Sequence, residues 1–318
     1  MPISYRPHVP LNVRRRPPRR SRRGSIAALL VLAPCVLAIT LIDRACAAVA
    51  TGRVRTVSAA PAATPAAPDK PAYAAGACRA QAPTGRSRNR TVFIDAGHGG
   101  PDPGVLGRTA TGAPVKESTV ALAVAVELAK ALRADGYRVV LSRTGDTSVM
   151  RFAAGDVVAG TLDNPQQRED IRARVRCAND SHARALLSIH FNGFDDPSVG
   201  GSQTVYDTVR PFADDSLRLA TAVQDALLQQ LELEDRGVTT DDELDVPTQT
   251  DYGHFMLLGP VQAGWLDEAT TMPGALVEPL FLTAPAEAAV ATSSAGQRRI
   301  AQALAAGVEH FFDGSPAR

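Results

Sequence analysis

Apolar residues fall into short continuous runs that alternate with segments whose apolar positions recur every three or four residues. The first run, Val92-Phe93-Ile94-Asp95, passes into Ala96-Gly97-His98-Gly99-Gly100 and predicts a buried strand followed by a Gly/Pro-rich loop to Pro114. Val120, Val124, Leu128 and Leu132 mark one face of a helix that opens near Glu117 and that Gly136 ends. A strand over 137–141, a long loop over 145–165 and a helix over 167–179 follow. Leu186-Leu187-Ser188-Ile189 then predicts a buried strand ending in His190. Further on, a short strand is expected over 201–206, a helix over 217–231, a strand over 255–258, a strand over 274–278 ending in Glu278, and a closing helix over 297–312. Strands alternating with helices imply one α/β domain: a mostly parallel twisted sheet covered by helices on both faces.

The chain ahead of residue 91 has a different texture. Residues 1–25 carry eight Arg and no Asp or Glu, and residues 26–42 form a nearly continuous apolar run. Ala45-Cys46-Ala47-Ala48-Val49-Ala50 then supplies small residues of the kind found at a cleavage site. Residues 1–50 therefore read as an export signal, or as a signal anchor if uncleaved, since about seventeen apolar residues approach the length that spans a bilayer. Ser21-Arg22-Arg23 partly matches a twin-arginine signal, so the export route stays open. Residues 51–87, rich in Ala and Pro, predict a disordered linker. The folded domain is then expected over 88–313, with a tail at 314–318.

Charge changes the picture once the leader is set aside. The formal net charge of +1 hides a net acidic remainder, so the composition does not point to nucleic acid. Cys35 and Cys46 belong to the leader. In an exported chain the remaining Cys78 and Cys177 invite a disulfide, with two unrelated thiols as the alternative.

Candidate chemistry gathers at strand ends. His98, His190 and Glu278 each terminate a predicted strand, so one rim of the sheet could hold all three. Glu117 opens a helix, where the macrodipole favours its ionised form. His98, Glu117 and His190 form the ligand set of one catalytic zinc, with a coordination position left over for water. Glu278, inside the apolar run Ala275-Leu276-Val277, is costly to bury unless it is paired or functional, and is the candidate catalytic base. His254, just past the acidic stretch 241–251, reads as a structural residue, with a donor to the transition state as the alternative. That stretch is expected near the cleft rim, either as a solvated loop or as a gate.

These motifs resemble those of the bacterial zinc-dependent N-acetylmuramoyl-L-alanine amidases of type 3, over roughly residues 91–312. Phe93-Ile94-Asp95-Ala96-Gly97-His98-Gly99-Gly100 resembles the first metal motif, Lys116-Glu117 the second and Ser188-Ile189-His190-Phe191-Asn192-Gly193 the third. Leu276-Val277-Glu278-Pro279-Leu280-Phe281-Leu282 resembles the segment with the catalytic glutamate. Leu141-Ser142-Arg143-Thr144, Arg174 with Ala178-Asn179, and Arg236-Gly237-Val238 are supporting matches. The resemblance implies hydrolysis of the amide joining N-acetylmuramic acid to L-alanine in peptidoglycan, outside the cytoplasm. One zinc would be held by His98, Glu117 and His190, with Glu278 as general base and acid. It also implies peptidoglycan as partner, with an unidentified protein activator as an open question; the charge pattern argues against nucleic acid, and membrane contact is expected only through an uncleaved N-terminal segment. Competing expectations are another zinc amidohydrolase or carboxypeptidase, and a silent wall-binding protein of the same fold.

Overall fold

Runs with two apolar faces become the centre of the sheet. The computed structural model describes residues 73–157, 160–243 and 252–314. In chain order its elements are β1 (Arg79–Gln81), β2 (Thr91–Ala96), β3 (Leu106–Arg108), β4 (Pro114–Lys116), α1 (Glu117–Ala134), β5 (Arg138–Leu141), α2 (Asn164–Asp180), β6 (Ala185–Ile189), β7 (Ser202–Tyr206), α3 (Ala213–Leu231), β8 (Asp235–Thr240), β9 (Gly274–Glu278), α4 (Pro285–Thr292) and α5 (Ser294–Asp313). Seven strands form one sheet in the order β1-β5-β2-β6-β9-β7-β8, and β3 and β4 pair as a separate antiparallel ribbon. β5, β2, β6 and β9 run parallel.

Period-two alternation sends neighbouring side chains to opposite layers. Val92, Ile94, Leu187, Ile189 and Val277 pack with Val124 and Leu128 of α1, Val223 of α3 and Leu304 of α5. Phe93, Leu186 and Leu276 face the other way, against Val175 and Ala178 of α2 and against Tyr252, Met256, Leu258 and Met272 of the segment between β8 and β9. Each fully buried side chain of this size stabilises the fold by roughly 1.5–3 kcal/mol. The second layer is thus half helix and half irregular chain. The expected strand over 255–258 is a turn instead, in which the Leu258 and Gly259 N–H groups both donate to the Phe255 carbonyl, at 2.9 and 2.7 Å. Its apolar run is satisfied by packing on the sheet rather than by pairing within it, a distinction that periodicity alone does not make.

Residues 73–87 correct the expected linker boundary. β1 pairs antiparallel with β5, and Cys78 is bonded to Cys177 of α2 across 99 residues of sequence. The folded unit therefore reaches back to at least residue 73, and a chain starting at 88 would lack an edge strand and the disulfide. Closing a loop of that length removes unfolded-state freedom worth about 4–5 kcal/mol in the chain-entropy account. Reduction should accordingly lower the melting temperature by on the order of 10 °C; a thermal scan unchanged by reductant would show the cross-link to be energetically idle. The leader, the rest of the linker and residues 315–318 lie outside the described residues. Among the described residues no helix is long and apolar enough to cross a membrane.

Strand direction decides which side chains can meet. The C-terminal ends of β2, β6 and β9 share one rim. β7 is antiparallel to β9, and β8 is parallel to β7, so both of these strands end at the opposite rim.

Candidate metal centre

His98 follows β2 in a left-handed backbone conformation, φ 58°, which a run of glycines on either side helps to accommodate. Two buried arginines fix that turn by its carbonyls. Arg143 donates to the Ala96, Gly97 and Ser118 oxygens at 2.9, 2.8 and 2.6 Å. Arg174 donates to the Ala96 and His98 oxygens at 2.7 and 2.6 Å, and pairs with Asp95 and Asp170. Burial works against charge on both arginines. For Arg143 it wins, bringing the guanidinium down to about 10; for Arg174 the two carboxylates outweigh it and hold the charge firmly. The Arg143 and Arg174 motifs therefore brace the turn that carries His98.

Three donor atoms converge beside that turn. His98 Nε2 lies 3.0 Å from Glu117 Oε1, His190 Nδ1 lies 2.9 Å from the same oxygen, and the two ring nitrogens are 3.1 Å apart. Supporting bonds set their aim. His98 Nδ1 is 2.8 Å from Asp102 Oδ2, and Asp102 Oδ1 accepts from the Gly104 N–H at 3.1 Å. Glu117 Oε2 accepts from the Val105 N–H at 2.7 Å, and Oε1 from the Phe191 N–H at 3.0 Å. Two glycines make the approach possible. A Cβ on Gly97 would stand 2.5 Å from the His190 ring, and one on Gly104 would stand 2.5 Å from Glu117 Oε2.

Electrostatics follow the same geometry. Burial alone would raise the Asp102 carboxyl, but His98 and the Gly104 N–H bring it down to about 2. Burial also opposes ionisation of Glu117, and the two imidazoles overcome it, holding the carboxyl well below the usual range. Glu278 behaves in the opposite way. Adjacent to the third motif, where the His190 N–H donates to the Val277 carbonyl at 2.9 Å, it is 9% exposed and its Oε2 has no hydrogen-bond partner. Burial and the charge of Glu117 push it well above the ordinary carboxylate value. The Phe281 N–H after it is held at 2.6 Å by Glu287, which also accepts from the Gly201 N–H.

All four residues singled out in the sequence thus gather on one rim: His98, Glu117 and His190 in contact, and Glu278 next to them. The donor set fits a metal ion, because two imidazole nitrogens and a carboxylate oxygen face one point, with the outer atoms of His98 and Glu117 engaged elsewhere. Asp102 was missed, lying in a loop whose Gly/Pro content hides any period; its signal was a carboxylate four residues after a candidate ligand histidine. Of the two readings of His254, the transition-state donor fails. His254 sits with Asp207 and Asp241 beyond the ends of β7 and β8, at the opposite rim, and cannot donate to a reaction at Glu278. The start of the acidic stretch goes with it, so the expected gate at the cleft is not formed by Asp241 or Asp242; residues 244–251 lie outside the described residues.

Comparison with known proteins bears directly on this rim. The family model for N-acetylmuramoyl-L-alanine amidases matches residues 92–310. The chain belongs to this family. It is similar to the germination-specific N-acetylmuramoyl-L-alanine amidase of Bacillus subtilis, 28% identical over 224 residues that cover 70% of this chain and 80% of that protein. It is also similar to the amidase LytC of Bacillus subtilis, 30% identical over 222 residues, 70% of this chain and 35% of that protein. Among solved structures, the CwlD amidase from Clostridioides difficile shares its fold, with a TM-score of 0.56 at 24% identity over 71% of this chain and 100% of that one. The matched stretch includes His98, Glu117, His190 and Glu278. The amidase family accounts for a peptidoglycan amide as the class of bond cleaved, and sets the carboxypeptidase expectation aside.

Proposed function

We propose that this amidase hydrolyses the bond between N-acetylmuramic acid and L-alanine with one zinc ion held by His98 Nε2, His190 Nδ1 and Glu117 Oε1. The observation that carries the reading is the meeting of these three atoms within 3.1 Å of one another beside the unpartnered, buried Oε2 of Glu278. Bound there, zinc would supply a Lewis acid and bring the pKa of a water towards about 7. The protein's own share is positional and protonic. Asp102 holds His98 in the tautomer that leaves Nε2 free, since Nδ1 keeps its proton for the carboxylate. Glu278 Oε2 takes the proton of the attacking water and returns it to the leaving amine of L-alanine. Residues 1–50 export the chain to the wall, and catalysis belongs to the unit beginning near residue 73.

The test is product chemistry. Purified protein loaded with zinc should release stem peptides with a free L-alanine amino group from isolated peptidoglycan, and a chelator should stop it until zinc is returned. Release of C-terminal residues instead, or wall binding without release, would overturn the reading. Asp102→Asn should fold normally yet bind zinc roughly 10–100-fold more weakly, the usual effect of losing a partner that orients a ligand histidine. Competition with a chelating dye reads this; unchanged affinity would make Asp102 only a brace for the Gly104 turn.

A further inference from the structure

The residues that follow β7 and β8 build a second cluster at the far rim. With Gln203 level with Glu278 and Val205 with Leu276, Asp207 lies about four residues, or roughly 13 Å, along the strands from Glu278. Asp241 follows β8 beside it. His254, from the segment leading to β9, places its Nδ1 2.8 Å from Asp207 Oδ2 and 3.5 Å from Asp241 Oδ1. Both aspartates are 2% exposed.

Each carboxylate has one oxygen engaged and one bare. Asp207 Oδ1 accepts from the Val209 N–H at 2.8 Å, and Asp241 Oδ2 accepts from the Phe255 N–H at 3.0 Å. The other two oxygens, together with His254 Nδ1, are buried without a hydrogen-bond partner. The 2.8 Å approach of ring nitrogen to carboxylate is therefore not a hydrogen bond: its direction is wrong, as it is when two ligands face a common point rather than each other. At the catalytic rim backbone N–H groups likewise hold a carboxylate in place, those of Val105 and Phe191 donating to Glu117.

Charge balance demands something at that point. Two buried carboxylates side by side are unstable as a pair of anions unless a proton or a cation joins them. The Arg210 guanidinium does not pair with either carboxylate: it directs its N–H groups to the Leu258, Gly259 and Thr270 carbonyls.

We propose that Asp207, Asp241 and His254 bind a second divalent transition-metal ion, of the zinc class, separate from the catalytic centre. An imidazole with two carboxylates suits such an ion, whereas calcium and magnesium favour all-oxygen shells. The ion ties the ends of β7 and β8 to the segment that returns to β9. That segment forms part of the packing on β6 and β9 through Met256, Leu258 and Met272, so its role is to hold the sheet's far edge rather than to react.

The full chain, stripped of metal and titrated with Zn2+, decides this. Two equivalents are expected by elemental analysis after gel filtration, falling to one in Asp241→Asn, one in His254→Ala, one in His190→Ala, and none in the His190→Ala/His254→Ala double variant. In His190→Ala, Zn2+ at about a hundred times its dissociation constant should raise the melting temperature by roughly 5–10 °C, and this rise should vanish in the double variant. A parent that binds a single equivalent, or a His254→Ala variant that still binds two, overturns the proposal and leaves a proton shared by the two aspartates. The parent's stoichiometry decides alone if a variant fails to fold. Because His190→Ala and His254→Ala remove different ions, failure here is separate from failure of the catalytic assignment.

Discussion

His190→Ala should lose the catalytic ion and amide hydrolysis together while keeping its fold. The imidazole supplies one of three donors, 2.9 Å from Glu117 Oε1 and 3.1 Å from His98 Nε2, and alanine offers no atom to replace it. Loss of a residue that merely supports a ligand costs roughly 10–100-fold in affinity, so removal of the ligand itself should exceed that. The backbone at 190 stays anchored by its N–H to the Val277 carbonyl, at 2.9 Å, and the side chain is 20% exposed, so little packing is lost. Zinc content, activity on peptidoglycan and a thermal scan read the three consequences separately. Full occupancy of the catalytic site with activity lost would place His190 in substrate contact and reopen the ligand set.

Legibility in the sequence tracked how local the cause was. β2, β6 and β9 were readable because both faces of each strand are buried, which leaves a mostly apolar run ending in a charged or ring residue. α1, α3 and α5 were readable from one buried stripe apiece. Elements whose partners lie far off in sequence were not. β1 is three residues with two exposed side chains, held by β5 and by Cys78. β8 spans Asp235-Arg236-Gly237-Val238-Thr239-Thr240, an edge strand with only Thr239 buried, and its polar, glycine-bearing sequence offers no alternation. α4 is eight residues opening on Pro285, too short for a period.

The larger misreading was one of direction. Hydrophobic alternation says that a segment is a strand and which face it buries, but it is the same whichever way the strand runs. Nothing in 201–206 announces that β7 lies antiparallel to β9. That single reversal carries Asp207, Asp241 and His254 away from the catalytic rim. His98, His190 and Glu278 escaped this ambiguity because parallel strands deliver their C-terminal ends to the same place, and Glu117 joins them from the first turn of α1.

Glu278→Gln should bind zinc normally, lose roughly 10²–10⁴-fold in rate, and be no less stable than the parent. The amide is nearly the same size but cannot accept the proton of the attacking water. The stability argument has a sign of its own. Glu278 is buried with Oε2 unpartnered, and its carboxyl is held well above the ordinary value by burial and by Glu117. Such a group stabilises the fold at low pH and loses that contribution as pH rises from its unfolded value, about 4.3, through the folded one. In metal-stripped protein the glutamine variant should therefore melt higher than the parent at neutral pH, with the gap closing below about pH 4. A base kept at a cost in stability is the signature of a residue retained for chemistry. If the variant keeps its rate within threefold, or melts lower than the parent at neutral pH, Glu278 is a structural carboxylate and the proton must be moved by another group.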